Sequence, residues 1–131
     1  MKYYSTNTKA PLATLHEAVV KGLASDSGLY MPEYLYKLPA DFFDSIQNLP
    51  FNEIAKIVAT AFFGEDVEQQ ALDEIVDDTL QFDCPVVEVN DNIYSLELFH
   101  GPTLAFKDVG GRFMARLLQY FIRKEGKEEV N

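Results

Sequence analysis

The sequence predicts a mixed α/β chain: helices over residues 1–80, then a short β-hairpin, then a strand, loop and helix in which the loop delivers a lysine. Two observations carry this. Apolar residues at Ile54, Ile57, Val58, Ala61 and Phe62, and again at Ala71, Leu72, Ile75, Val76 and Leu80, recur at the spacing that gathers them on one helix face. After Pro85 the pattern turns into short runs, Val86 to Val89 and Ile93 to Leu98, joined by Asn90-Asp91-Asn92, residues that tolerate left-handed turn geometry.

The elements follow in order. Thr14 and Glu17 have the spacing of a capping box, which opens a short helix that Gly22 closes. The stretch from Ser25 to Pro39 is punctuated by Asp-Ser-Gly, Met-Pro and Leu-Pro, so it reads as a long ordered loop with Tyr30, Tyr34 and Tyr36 laid over a neighbour. A helix after Pro50 stops at Gly64. A second starts at Asp66, with Gln69 completing a capping pattern, and the two form a helical hairpin. From Asp108 onward Phe113, Met114, Leu117, Leu118, Phe121 and Ile122 form a stripe opposite Arg112, Arg116, Arg123 and Lys124. Gly110 and Gly111 fall in the first turn of that helix, where each costs about 1 kcal/mol relative to Ala, which suggests close approach to this backbone. Lys124 to Glu129 reads as a charged, frayed end.

Composition narrows the function. At 131 residues, 47% hydrophobic and 13% aromatic, the chain has the material for one modest core. A net charge of −10 repels phosphate backbones and anionic lipid surfaces, which argues against nucleic-acid and membrane binding. The charge is uneven: residues 1–104 carry five lysines against seventeen carboxylates, whereas residues 105–131 carry six Lys or Arg against four. That basic end suits either an anionic ligand or an ordinary helix surface. The single Cys84 rules out an internal disulfide. With no signal-like or membrane-spanning apolar run, a cytoplasmic protein is expected.

Lys107 stands apart. No Lys or Arg lies between Lys56 and Lys107, and the segment from Glu65 to Glu97 holds eleven carboxylates. A lysine beside Phe106 at a helix start is expected to be partly desolvated and to sit at the positive end of the helix dipole, both of which favour the neutral amine that attacks carbonyls. The competing reading is a surface lysine at a helix N-terminus. His100 and Thr103 could contact ligand, or be a loop histidine bonded to backbone and a turn residue after Pro102. Asp108 suits helix capping first and orientation of the lysine second. Asp73, Glu74, Asp77 and Asp78 lack a nearby His or Cys and read as a solvated face, so no metal is expected.

The run Glu97-Leu-Phe-His-Gly-Pro-Thr-Leu-Ala-Phe-Lys107-Asp-Val-Gly-Gly-Arg-Phe-Met114, together with Tyr4-Ser5-Thr6 and Gly22-Leu-Ala-Ser-Asp-Ser-Gly-Leu-Tyr-Met-Pro-Glu33, resembles the threonine synthase family in order and spacing. The resemblance implies pyridoxal 5'-phosphate held as a Schiff base by Lys107, with Phe106 and Asp108 beside the cofactor; His100 and Thr103 are the candidates for the substrate side. It implies a fold type II domain whose truncated start is residues 81–131, preceded by an N-terminal domain over residues 1–80. It implies conversion of O-phosphohomoserine and water to threonine and phosphate, a carbon–oxygen lyase reaction. Family enzymes run to several hundred residues, so the chain is expected to be an N-terminal piece, inactive alone, whose partner is the rest of the same chain and whose phosphate-cradling loop lies past Asn131. Two alternatives stay open: a non-catalytic interaction module, and another fold type II enzyme acting on an amino acid.

Overall fold

The structure, a computed structural model, describes residues 1–126. Strand β1 (Lys2–Ser5) is central in a three-stranded antiparallel sheet, flanked by β2 (Ala13–Thr14) and β3 (Tyr30–Pro32). Tyr3 faces Ala13 on one side and Pro32 on the other. The alternation of β1 points Tyr3 and Ser5 inward and Lys2 and Tyr4 outward.

Helix α1 (Leu15–Lys21) opens on the expected capping box. The Glu17 N–H donates to the Thr14 hydroxyl at 3.2 Å, and the Thr14 N–H donates to the Glu17 carboxylate at 2.9 Å. Gly22, at φ 72°, ends it. A short helix α2 (Ala40–Ser45) and a 3-10 turn (Ile46–Asn48) lead into α3 (Phe51–Phe63), which ends at Gly64. Helix α4 (Gln69–Thr79) packs against α3. Beyond it lie the hairpin β4 (Val86–Asn90) and β5 (Ile93–Leu96), with Asn92 at φ 61° in its turn, and then α5 (Lys107–Lys124).

Four expectations need correction. The Ser25–Pro39 stretch is not all loop, because β3 lies within it, and Tyr34 and Tyr36 are exposed while Tyr30 packs on the core. Helix α4 starts at Gln69 rather than Asp66, and no side chain caps it. The reason is a stronger competitor: the Asp66 carboxylate takes the Met1 ammonium at 3.0 Å, beside Glu65 at 2.9 Å. Strand β5 stops at Leu96, two residues short of Leu98. Lys124 is held rather than frayed, because its ammonium donates to Glu68 at 2.7 Å; residues 127–129 of that expected end lie outside the described residues.

One core joins the two parts of the chain. Tyr3, Leu15, Ala59, Val67, Leu72, Ile75 and Val76 pack with Leu117 and Phe121 of α5. Leu72 is completely buried. Burying such a side chain contributes about 1.5–3 kcal/mol, so the two α5 residues are substantial members of the fold.

A second organising point is Asp26. Its Oδ1 accepts from the Ser5 hydroxyl at 2.6 Å and the Gly28 N–H at 3.0 Å, and its Oδ2 from the Lys9 and Ala10 N–H groups, both at 2.9 Å. Led by the Ser5 bond, these donors hold the carboxyl down at about 2. Gly28 is obligatory here, since a Cβ would stand 2.0 Å from Ser5 Oγ.

Two outcomes are expected. Leu72→Ala should cost about 2–5 kcal/mol in denaturant unfolding, because a fully enclosed site loses contacts and gains a cavity. The Asp26 contribution is present above its ordinary value of 3.8 and is lost as pH falls toward about 2. Asp26→Asn should therefore flatten the acid limb of a stability-versus-pH curve over that window; an unchanged limb would contradict the role.

Candidate functional site

The loop between β5 and α5 leads straight into Lys107, the first residue of α5. The helix begins beside Asp108, as the sequence predicts, although the strand before it ends at Leu96, short of the expected Leu98. The loop turns on the bond from the Leu104 N–H to the Gly101 carbonyl at 3.0 Å, with Leu104 at φ 57°. Thr103 lies in that turn, its N–H donating to Asp108 Oδ2 at 2.8 Å.

Lys107 is exposed, and so is Phe106 beside it, at 73%. The desolvation expected from the apolar neighbours is therefore not supplied by these residues: Leu104 and Phe106 point outward rather than over the amine. Among the described residues no carboxylate pairs with Lys107. It lies on an open depression of about 560 Å³ with Phe106, Gly110, Gly111, Arg112 and Ala115. A Cβ on either glycine would meet nothing within 4 Å. The close approach that the two glycines suggested is thus not made by any described residue, and the backbone of the first α5 turn lies bare beside the amine.

His100 is bonded to a side chain rather than to backbone: its Nε2 lies 2.6 Å from Glu97 Oε2, and its ring stacks on Phe99 at 4.7 Å. Asp108 is buried, and no side chain caps α5, so its carboxylate serves the preceding loop instead of the helix end. The structure thus brings Thr103, Asp108 and Lys107 into one turn and leaves His100 at the loop entrance.

Arg112 was grouped with the solvated basic face, and this is corrected. Its guanidinium donates to the carbonyls of Asp78 at 2.7 Å and Thr79 at 3.2 Å and to Gln81 Oε1 at 3.3 Å. A cation on the last carbonyls of α4 satisfies orphan acceptors and opposes the negative end of the helix dipole. Periodicity alone could not reveal this, because it gives the face of α5 and not the element that meets it. Arg116 adds a bond to Asp78 at 3.1 Å, and Lys124 and Tyr120 both bind Glu68, which holds that carboxyl near 2.

Other chemistry is thin. The Cys84 thiol is half-buried, and burial pushes it up, away from the reactive thiolate. Among the described residues no three His, Cys, Asp or Glu side chains gather as a metal site, and no helix is long and apolar enough to cross a membrane.

A strand and turn that present a lysine, unpaired among the described residues, at the start of a long helix beside bare glycine backbone define an accessible amine site on an α/β framework. Comparison with known proteins gives its family. Residues 2–80 match the model for the threonine synthase N terminus. The threonine synthase of Haemophilus influenzae is 39% identical over 127 residues, covering 97% of this chain and 29% of that protein. That of Escherichia coli is 38% identical over 120 residues, covering 92% of this chain and 28% of that protein. The structure superposes on PLP-bound threonine synthase from Brucella melitensis with a TM-score of 0.88 and 37% identity, covering 96% of this chain and 28% of that one. Yeast threonine synthase gives a TM-score of 0.83 at 30% identity, covering 95% and 27%. The chain belongs to the threonine synthase family, and it spans a little over a quarter of the length of these relatives.

Arg112→Ala should destabilise the protein by about 2 kcal/mol, since charge-assisted bonds to helix-end carbonyls are lost and the acceptors lose their partner. Thermal or denaturant unfolding checks this. A change below about 0.5 kcal/mol would mean that water replaces the guanidinium without loss.

Proposed function

We propose that this chain is the amino-terminal part of a threonine synthase that converts O-phosphohomoserine and water into threonine and phosphate, with pyridoxal 5'-phosphate held by Lys107. The observation that carries the reading is Lys107 itself, exposed at the first residue of α5 and uncommitted to any carboxylate among the described residues. Lys21, Lys56 and Lys124 each have an acidic partner; Lys2, Lys9 and Lys37 make no ion pair among the described residues either, but none of them opens a helix.

The residues present fit the cofactor's requirements. An aldehyde needs an approachable amine, and the open depression beside Gly110 and Gly111 leaves room for a flat ring. Bound there, the cofactor supplies an electron sink for carbanion chemistry. Lys107 would hold it, and its amine, when free, would carry protons at the substrate carbons. Phe106 flanks the ring, while His100 and Thr103 are assigned to the substrate side. Glu97 fixes the His100 ring through the 2.6 Å bond and so sets which ring nitrogen is free.

The domain division follows the same reading: residues 1–80 form the N-terminal domain and residues 81–131 begin the catalytic one. The partner is the rest of the same chain. The β4–β5 hairpin supports this, because Val86, Val89, Ile93, Tyr94 and Leu96 are all exposed and the two strands pair only with each other among the described residues. A two-stranded ribbon with apolar side chains on both faces needs cover to be stable. The absence of a second cysteine to pair with Cys84 in this sequence suits a cytoplasmic setting.

In the full-length enzyme Lys107→Ala should lower threonine formation by about 10³-fold or more, the scale of a lost general acid–base group, with an unchanged far-ultraviolet circular dichroism spectrum. The 131-residue chain alone should form no threonine. Near-normal turnover by the Lys107→Ala enzyme would overturn the assignment.

A further inference from the structure

We propose that Asp108 is a positioning residue for Lys107, acting through a lock that joins its buried carboxylate to the loop just before the lysine; this rests on the reading of Lys107 as the cofactor lysine. Asp108 is only 6% exposed although both chain neighbours of Lys107 in sequence, Phe106 and Asp108, sit at the open end of α5. A carboxylate is not buried there by packing alone, since desolvation opposes it unless a donor compensates. The compensating donor is the Thr103 N–H, at 2.8 Å from Oδ2.

Gly101 completes the lock. It is buried, and a Cβ built on it would stand 2.5 Å from Asp108 Oδ2, 2.8 Å from its Cβ and 2.9 Å from its Cγ. Any larger residue would push the carboxylate off Thr103. The loop also needs holding, because Leu104 sits at φ 57°, a costly conformation for a branched side chain, and at 74% exposure no packing of that side chain retains it. Two bonds from backbone amides do so instead: the Leu104 N–H to the Gly101 carbonyl and the Thr103 N–H to the Asp108 carboxylate.

The consequence falls on Lys107. Its backbone is fixed between a loop tied at Thr103 and a helix tied through Arg112 to the end of α4. The flexible side chain then swings from a defined point, which matters for a group that must meet both a cofactor carbon and substrate carbons. Without the lock the first turn of α5 could unwind into the loop and move that point.

The test uses the full-length protein with Asp108→Ala, Asp108→Asn, Gly101→Ala and the Gly101→Ala/Asp108→Ala pair. Three quantities are read: the rate at which apoprotein captures pyridoxal 5'-phosphate, followed by visible absorbance; kcat and KM for O-phosphohomoserine; and hydrogen exchange at the Thr103 amide. Asp108→Ala should slow capture and kcat by about tenfold or more while KM moves less than about threefold, and should expose the Thr103 amide. Asp108→Asn, which keeps an acceptor oxygen, should restore most of the loss. The double variant should be no worse than the worse single, because both changes break one device.

Wild-type capture rates with a protected Thr103 amide in Asp108→Ala would overturn the proposal. So would additive losses in the pair, or an Asp108→Asn variant as impaired as Asp108→Ala. If wild type captures the cofactor with this pattern but does not act on O-phosphohomoserine, the substrate reading falls and the lock stands. If Lys107→Ala captures the cofactor as wild type does, the lock loses the residue it serves and falls too.

Discussion

The rest of the structure depends on α5 belonging to two places at once. Its apolar face puts Leu117 and Phe121 into the core built by the N-terminal sheet and helices, while its first residue is Lys107. Polar contacts refine the fit: Arg112 on the α4 carbonyls, Arg116 on Asp78, Lys124 and Tyr120 on Glu68. The magnitudes decide their rank. Exposed ion pairs contribute little after screening and side-chain ordering, whereas two enclosed side chains contribute several times as much. The core therefore holds the helix, and the Arg112 clasp, partly buried and bonded to backbone, sets where along α4 its Lys107 end comes to rest.

Local signals were legible wherever one segment satisfied itself. The Thr14–Glu17 box, the stop at Gly64 and the left-handed Asn92 turn each need only a few neighbouring residues, and each is found where the sequence puts it; of the α5 stripe, Phe113, Leu117 and Phe121 reach the core, while Met114 is exposed and Tyr120 packs in its stead. The three-stranded sheet was not legible, because β1 and β3 are short strands some twenty-five residues apart whose pairing is non-local. Asp66 misled for a related reason: a spacing that suits a cap could not show that the Met1 ammonium would compete for the carboxylate.

The site divides along the same line. That a lysine would emerge from a loop at the start of a helix was readable from Leu98 to Asp108. Its exposure was not, because apolar neighbours in sequence need not be neighbours over the amine, and Phe106 and Leu104 point to solvent. Asp108 read as a helix cap because its position allows one, yet its carboxylate turns to Thr103, a choice fixed by the space that Gly101 leaves. The apolar groups of the loop and of the β4–β5 hairpin likewise stay exposed among the described residues.

The most direct test of this account is chemical mapping of the cofactor lysine. The full-length protein would be loaded with pyridoxal 5'-phosphate, reduced with borohydride so that the link becomes permanent, and digested for mass spectrometry. A single modified peptide, with the added mass on Lys107, is the expected result. The same label on another lysine, with Lys107 unmodified, would contradict the account.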